Sequence, residues 1–465
     1  MKKPKRRKRR LRWLVWPVIL LATAVGVTYW YATRPERLRA GVLQLLARLP
    51  VEAAHVGSVS FSLWTGLEVR DLEIVLPRDP SAPPEQEVSR VSCARARIDI
   101  DWTELVRGKV HPKLVEFDSA EAWLVYDLSA PTVSGRLGFG KSGEDWGQQF
   151  GGLEELPPIN VDRADIRVLG ATGDATNLLR RWVVHATGRP EGGAYALRVE
   201  SFGSPAQRIA EVTWDARQIR AAVGALDIEA IVPLMPPKLA ELQAHLALRG
   251  RLQLDELIRL PGTSEKNQGE LAAAHLRLTD ISAAVPIDVD ANGELLPPAK
   301  RFLQFTDGDV EITLERGDTP TWRLRANGLI NGAETQVEVA CAPPDDETLA
   351  LDAAHLRSLT LRARGLAFPP PERREALVKS QRVPEGVQDL LWQFEPIGKS
   401  DLDLSIDWAG LENGRPSRIT GRATFADGYC KYFRFPYTFS SVCGTLDFTE
   451  KGITVTHMTA QHGGA

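Results

Sequence analysis

The sequence predicts a mostly β protein: one N-terminal transmembrane helix, then a long, twisted, mainly antiparallel sheet curled into a groove, with a few short helices. Three observations predict it. A stretch of 21 residues without a charge, 13–33, follows a strongly basic tail. Beyond it, apolar and polar residues alternate with a period of two in run after run. Helical patterns are few and short. With 43% hydrophobic and 25% charged residues in 465, the chain has ample material for a packed structure and is not a disordered one.

The tail, 1–12, carries nine Lys or Arg and no acid, and the remaining residues hold 48 basic and 60 acidic side chains, net −12. So acidic a body is a poor partner for nucleic acid, and the basic cluster needs a local explanation. The uncharged run 13–33 supplies it, being long enough to cross about 30 Å of hydrocarbon as a helix. Trp13 and Trp16 at one end, and Trp30 and Tyr31 at the other, sit where amphipathic rings anchor a span in the interface. The basic tail keeps the N-terminus cytoplasmic, so the rest faces outward. A cleaved signal peptide fits less well, because Trp and Tyr crowd the far end where small residues would mark a cleavage site.

Residues 34–50 read as a short amphipathic helix at the membrane exit, ended by Pro50. A β module follows over 51–128. In FSLWTGLEVRDLEIVLP (61–77), Leu67 and Val69 alternate with Glu68 and Arg70; the phase then slips at Asp71, and Leu72 and Ile74 take over. In ARARIDIDW (94–102), Ala94, Ala96, Ile98, Ile100 and Trp102 fall on one face, with Arg95, Arg97, Asp99 and Asp101 on the other. A flexible, Gly- and Ser-rich linker is expected at 129–158, a repeated β-groove region at 159–370, a helical insertion at 371–398 and a C-terminal β region at 399–465. The last opens with DLDLSIDW, where Leu402, Leu404, Ile406 and Trp408 alternate with acids and a serine. A looser element recurs at 118–127, 162–170, 306–315 and 426–433, reading as a polar turn, a small residue, then a strand.

One-faced strands must bury that face against a second sheet, against helices, or by curling. The helices are too few to cover it, so the sheet is expected to curl into an open trough lined by Leu67, Val69, Leu72, Ile74, Ile98, Ile100, Trp102, Leu402, Leu404 and Ile406. The bland alternative is that these faces are ordinary core, and Trp102 and Trp408 fit either reading.

Catalytic motifs are weak. GRLGFGKS at 135–142 satisfies the spacing of a phosphate-binding loop. That loop needs a buried strand before it and a helix after it; here SAPTVS precedes and GEDWGQQFGG follows, so no nucleotide is expected at Lys141. The eight histidines are scattered, and His457 and His462 have no Cys or acid at metal-ligand spacing. The pairs Asp99 with Asp101 and Asp401 with Asp403 alternate with apolar residues as the wet side of a sheet rather than as a catalytic dyad. Neither a metal nor a cofactor is expected, and the chain reads as a non-enzyme. Of the four cysteines, Cys430 and Cys443 lie on neighbouring strands, where a disulfide and two free thiols are equally compatible with the sequence.

The order of several motifs resembles a known family. After tail, span and short helix come VGSVSFSLWTGLEVRDLEI (56–74), RIDIDWTELVRGKV (97–110) and LVEFDSAEAWLVYD (114–127); near the end stand ITGRATFADGY (419–429), FRFPYTFSSVCGTLDF (433–448) and GITVTHMTAQHGG (452–464). This is similar to the two ends of AsmA-like bacterial envelope proteins, relatives of TamB and YhdP. The middle matches in rhythm. The family continues past the point matching 463–465, so the chain reads as a short or truncated member. The resemblance implies a bridge-like lipid transporter: anchored in the inner membrane, its bulk in the periplasm, with phospholipid as transported ligand and outer-membrane or periplasmic envelope proteins as further partners. It implies no catalytic residues. A non-catalytic scaffold for outer-membrane protein assembly, with closed β-sandwich cores, is the other expectation.

Overall fold

The computed structural model describes residues 34–463 apart from 47–50, 63–65, 77–87, 102–111, 128–156, 173–174, 204, 216, 236, 261–270, 286–293, 316–319, 343–355, 372, 375–390, 409–417, 435–436 and 450–451. The expected span 13–33, with Trp13, Trp16, Trp30 and Tyr31, lies outside the described residues, as do Trp102 and the stretch 135–142. Among the described residues, no helix is long and apolar enough to cross a membrane. The protein is mostly β, with few short helices. It divides into two compact units, one reaching Ala206 and the other starting at Gln207 in the described residues. The expected linker 129–158 lies almost wholly outside the described residues, and the first unit continues beyond it.

The first unit opens with α1 (Pro35–Leu46), followed by β1 (Ala53–Ser62), β2 (Gly66–Val75), β3 (Arg90–Ile100), β4 (Pro112–Asp127), β5 (Ile159–Thr172), β6 (Ala175–Glu191) and β7 (Ala194–Ser201). Consecutive strands pair, antiparallel except for β4 with β5, which run parallel. A parallel pair needs a long crossover, and the chain between Asp127 and Ile159 provides one. The β6–β7 hairpin turns on Gly192 and Gly193, both at positive φ, where any side chain is strained.

The phase slip at Asp71 is structural. Asp71 adopts φ +53° between the pairs Arg70–Arg95 and Leu72–Cys93. Ser119 does the same on β4, at φ +55°. The slip passes across the neighbouring strands in register, so residues three apart, and not two, share a face: Val56 with Val59, Val69 with Leu72, Cys93 with Ala96. This corrects the reading of β3. Ala94 falls in the kinked row and is exposed, while Cys93 takes its place in the core at 4% exposure. The recurring element is corrected likewise. Its copies lie within β4, β5, β12 and β17 rather than opening new strands; most mark a positive-φ residue or a register shift, features of β-bulges that re-aim the strand.

The second unit contains β8 (Arg208–Trp214), β9 (Ile219–Asp227), α2 (Ile228–Ile231), α3 (Pro237–Leu246), β10 (Arg249–Arg259), β11 (Leu271–Ala284), β12 (Gln304–Glu315), β13 (Thr321–Ile330), β14 (Ala333–Cys341), β15 (Leu356–Ala367), β16 (Lys399–Asp407), β17 (Arg418–Lys431), β18 (Thr438–Thr449) and β19 (Gly452–Gln461). From β8 to β19, each strand pairs antiparallel with the next, one meander with a continuous ladder. Asn331-Gly332, both at positive φ, join β13 to β14, the sequence pair that a two-residue hairpin of this twist favours. Arg301 is buried and holds the inner connections: it donates to the carbonyls of Leu296 and Ala284 at 2.9 and 2.8 Å, and to that of His245.

Candidate functional site

The antiparallel register of the second unit lines up apolar residues across many strands. One row runs Leu252, Leu278, Val310, Ala326, Val337, Leu361, Leu404, Gly421, Phe448 and Ile453, each directly opposite the next. Beside it, Leu254, Leu276, Ile312, Leu324, Val339, Leu359, Ile406 and Ile419 make a second. A third joins Ala363, Leu402, Ala423, Leu446 and Val455. Directly opposed residues share a face, so the three rows form one apolar surface. Where the backbone gives no side chain, a neighbouring ring fills in: Phe448 lies so close over Gly421 that an added Cβ would overlap it.

Leu324, Val337, Leu361, Leu402, Leu404, Ile406 and Ile419 on that surface are of intermediate exposure, while Leu278, Ala326, Ala363, Ala423 and Leu446 in the same rows are buried. Among the described residues, α2 packs on β9 and β10, and its Ile228 joins Leu278 and Ile281 of β11 in a buried cluster. At the C-terminal strands the surface deepens into a groove of about 410 Å³, lined by Phe394, Ile397, Phe425, Val442, Leu446 and Met458 among others. Leu446 belongs to the row of Leu402, so groove and surface are continuous.

The other face is charged, with signs alternating across strands. Arg364 grips Asp403 through two hydrogen bonds of 3.2 Å, Arg422 reaches Asp447 at 2.7 Å, and Arg323 reaches Glu338 at 2.6 Å and Glu315 at 2.9 Å. The Arg422 guanidinium, with the Thr456 hydroxyl, holds the Asp447 carboxyl below the usual carboxylate range. The acid pairs noted in the sequence are parcelled out to separate partners: Asp401 accepts from the Gly365 N–H at 2.8 Å, Asp99 pairs with Arg97 at 3.2 Å and Asp101 with Lys113 at 3.3 Å.

In the first unit, Leu67 lies opposite Ile98, and Ile100 ends β3 opposite Pro112. Here the apolar face has a lid. Val56, Val59, Val69, Cys93 and Ala96 are buried, and Leu38, Val42, Leu43 and Leu46 of α1 pack on them with Leu67, Leu72 and Phe117. Val69 is therefore core beneath a helix, whereas Ile74, Ile98 and Ile100 remain half-buried. The ten lining residues read from the sequence thus divide. The β2 and β3 set shares one face of the first unit, the β16 set belongs to the second, and Trp102 lies outside the described residues.

All four cysteines are free. Cys430 sits opposite Phe439, and Cys443 opposite Thr459, so they do not face each other in the β17–β18 ladder. The Cys443 thiol instead donates to the Ala426 carbonyl at 2.6 Å. Burial raises the thiols of Cys93, Cys341 and Cys430, which favours the inert protonated form. Sequence reasoning missed the groove residues Phe394, Ile397 and Met458. Their signal was present as apolar residues clustered at 394–397 and on β19, but only pairing brings these segments together. Comparison with protein-family models finds no match, and a search of curated proteins finds no relative.

Proposed function

We propose that the chain is an AsmA-like lipid-transfer protein, held in the inner membrane by 13–33 and moving phospholipid through the periplasm towards the outer membrane. It is a non-enzyme on this reading, with no cofactor and no nucleotide. The observation that carries the reading is the continuous apolar surface of β10–β19, on which Leu324, Val337, Leu361, Leu402, Leu404 and Ile406 keep part of their side chains accessible. Such a surface is costly in a soluble protein unless something apolar covers it. Acyl chains fit. Each CH₂ removed from water gains about 0.8 kcal/mol, so a chain of about 16 carbons gains over ~10 kcal/mol on entering an apolar site. The contact is non-directional, so a lipid slides from Leu361 to Leu404 to Phe448 without a deep well, while its headgroup stays in water. Leu402, Leu404 and Ile406 line the path, joined by Leu359, Leu361 and Leu446. The span and the N-terminal motifs support the resemblance to the envelope family. The scaffold alternative with closed sandwiches draws no support from the second unit, where the described strands follow one another in one ladder.

The test is transfer itself. Donor vesicles carrying a fluorescent phospholipid are mixed with acceptor vesicles and the purified full-length chain. Transfer is expected to accelerate, and the pair Leu361→Glu with Leu404→Glu, adjacent across β15 and β16, to remove at least about tenfold of that acceleration, as two buried charges oppose an acyl chain. A rate equal to spontaneous exchange, or one indifferent to the two glutamates in a folded variant, defeats the reading.

A further inference from the structure

One end of the second unit is a tip built from two segments. Lys431 pairs with Thr438 to close the β17–β18 hairpin. The short helical turn at 391–394 packs beside it: the Phe433 N–H donates to the Gln393 carbonyl at 2.8 Å, and the Tyr432 ring lies 5.2 Å from Phe394 and 5.1 Å from Phe433. Around this scaffold the rings turn outward. Trp392 is 61% exposed, Phe433 50% and Tyr437 53%. So many large rings exposed together mark an interaction surface. Charge is an independent observation. From 428 to 446 the chain holds Lys431 and Arg434 and no acid, within a body that is net −12 beyond residue 12. The Arg434 guanidinium stands 5.2 Å over the Phe433 ring.

The geometry points to this tip as a membrane-docking element that seats Trp392, Phe433 and Tyr437 among the headgroups of a phospholipid bilayer, with Lys431 and Arg434 against lipid phosphates. The chemistry favours lipid over protein. Trp and Tyr rings beside Lys and Arg are the mixture that settles at a bilayer interface, where ring bodies sink and cations meet phosphate. Protein interfaces share the Trp, Tyr and Arg but are depleted in lysine, and Lys431 stands here beside Arg434. The inference stands apart from the lipid path: a tip of this kind docks whether or not lipid moves along the sheet.

The experiment uses the full-length chain with an environment-sensitive fluorescent amino acid at Phe433, and a second preparation with the same probe at Leu178, which is 57% exposed in the first unit. Vesicles of phosphatidylcholine with a minority of phosphatidylglycerol are added, their acyl chains brominated as quenchers. The expected result is a blue shift and quenching at 433 and neither at 178. Trp392→Ser with Tyr437→Ser weakens the response about a hundredfold, about tenfold for each large side chain no longer buried. Lys431→Gln with Arg434→Gln weakens it only when the vesicles contain phosphatidylglycerol. These rings are exposed, so the variants are expected to melt like the parent. Absence of quenching at 433, quenching equal at both positions, or quenching indifferent to the substitutions overturns the proposal. So does a probe at 433 that is shielded by an envelope protein and never by lipid.

Discussion

The two units carry the same sequence device and put it to different ends. In the first, alternating strands β1–β3 present Val56, Val59 and Val69, and α1 lies on them until at most 3% of each is exposed. In the second, β13–β17 present Leu324, Val337, Leu361 and Leu404, and these stay of intermediate exposure beside the buried Ala326, Ala363 and Ala423. The alternation is the same and the fate of the face is not. On the first face lies α1, an amphipathic helix of 12 residues. Alternation states that a face is apolar; it does not state what lies on it.

The comparison is broken most forcefully by placing a charge on each face. Val59→Asp leaves an unpaired carboxylate beneath α1 and is expected to cost more than about 4 kcal/mol, enough to unfold the first unit. Leu404→Asp on the open face is expected to cost about 1 kcal/mol, because water reaches it. Thermal melting followed by limited proteolysis distinguishes them, and equal losses would mean that the open face is core after all. Next in size, Leu43→Ala on α1 removes part of the cover and is expected to cost about 2 kcal/mol, with faster hydrogen exchange in β1–β3 and none of that effect in β13–β17.

A subtler change sharpens the geometry. Asp71 at φ +53° keeps Val69 and Leu72 on one face. Asp71→Val should cost about 1–2 kcal/mol, since a β-branched residue resists the left-handed region, whereas Asp71→Gly should be close to neutral. Equal melting points for the two would remove the kink from the account. Smallest is a pH effect. Hydrogen bonds from Arg181, and then from Arg167, hold the Asp165 carboxyl at about 2, below its ordinary 3.8. Because the folded value is depressed, this stabilisation is present above 3.8 and is lost as pH falls towards about 2. The effect should stay below about 1 kcal/mol, as the Arg181 side chain is about half exposed and such pairs are screened. The melting difference between Asp165→Asn and the parent should shrink over that window and be constant above it; a difference that grows on acidification contradicts the assignment.

Much of the fold was legible. The period of two marks β2, β3 and β16, the short helix after the uncharged run is α1, and the slip at Asp71 is a backbone kink. Other features were not legible, for physical reasons. Ala94 looks like a core residue because its own strand carries no sign of the kink; the positive φ lies on Asp71 and Ser119, on the strands either side. The polar elements at 306–315 and 426–433 look like turns because bulges use the same Asp and Gly residues that turns use. The parallel pairing of β4 with β5, and the cover that α1 gives Val69, are long-range facts that no local pattern encodes. The candidate surface was half legible: Leu402, Leu404 and Ile406 were readable as a stripe, but their continuity with Leu361 and Phe448 is a matter of register.

The most direct measurement places a photo-crosslinking amino acid, in cells, at Leu404 and separately at Asp403 and Val59. Leu404 and Asp403 are adjacent on β16 and face opposite sides, while Val59 is apolar but capped by α1. A phospholipid adduct at Leu404 alone is the result expected of an uncovered apolar path. Adducts at none of the three, with the chain folded, or adducts at Asp403 as readily as at Leu404, would contradict it.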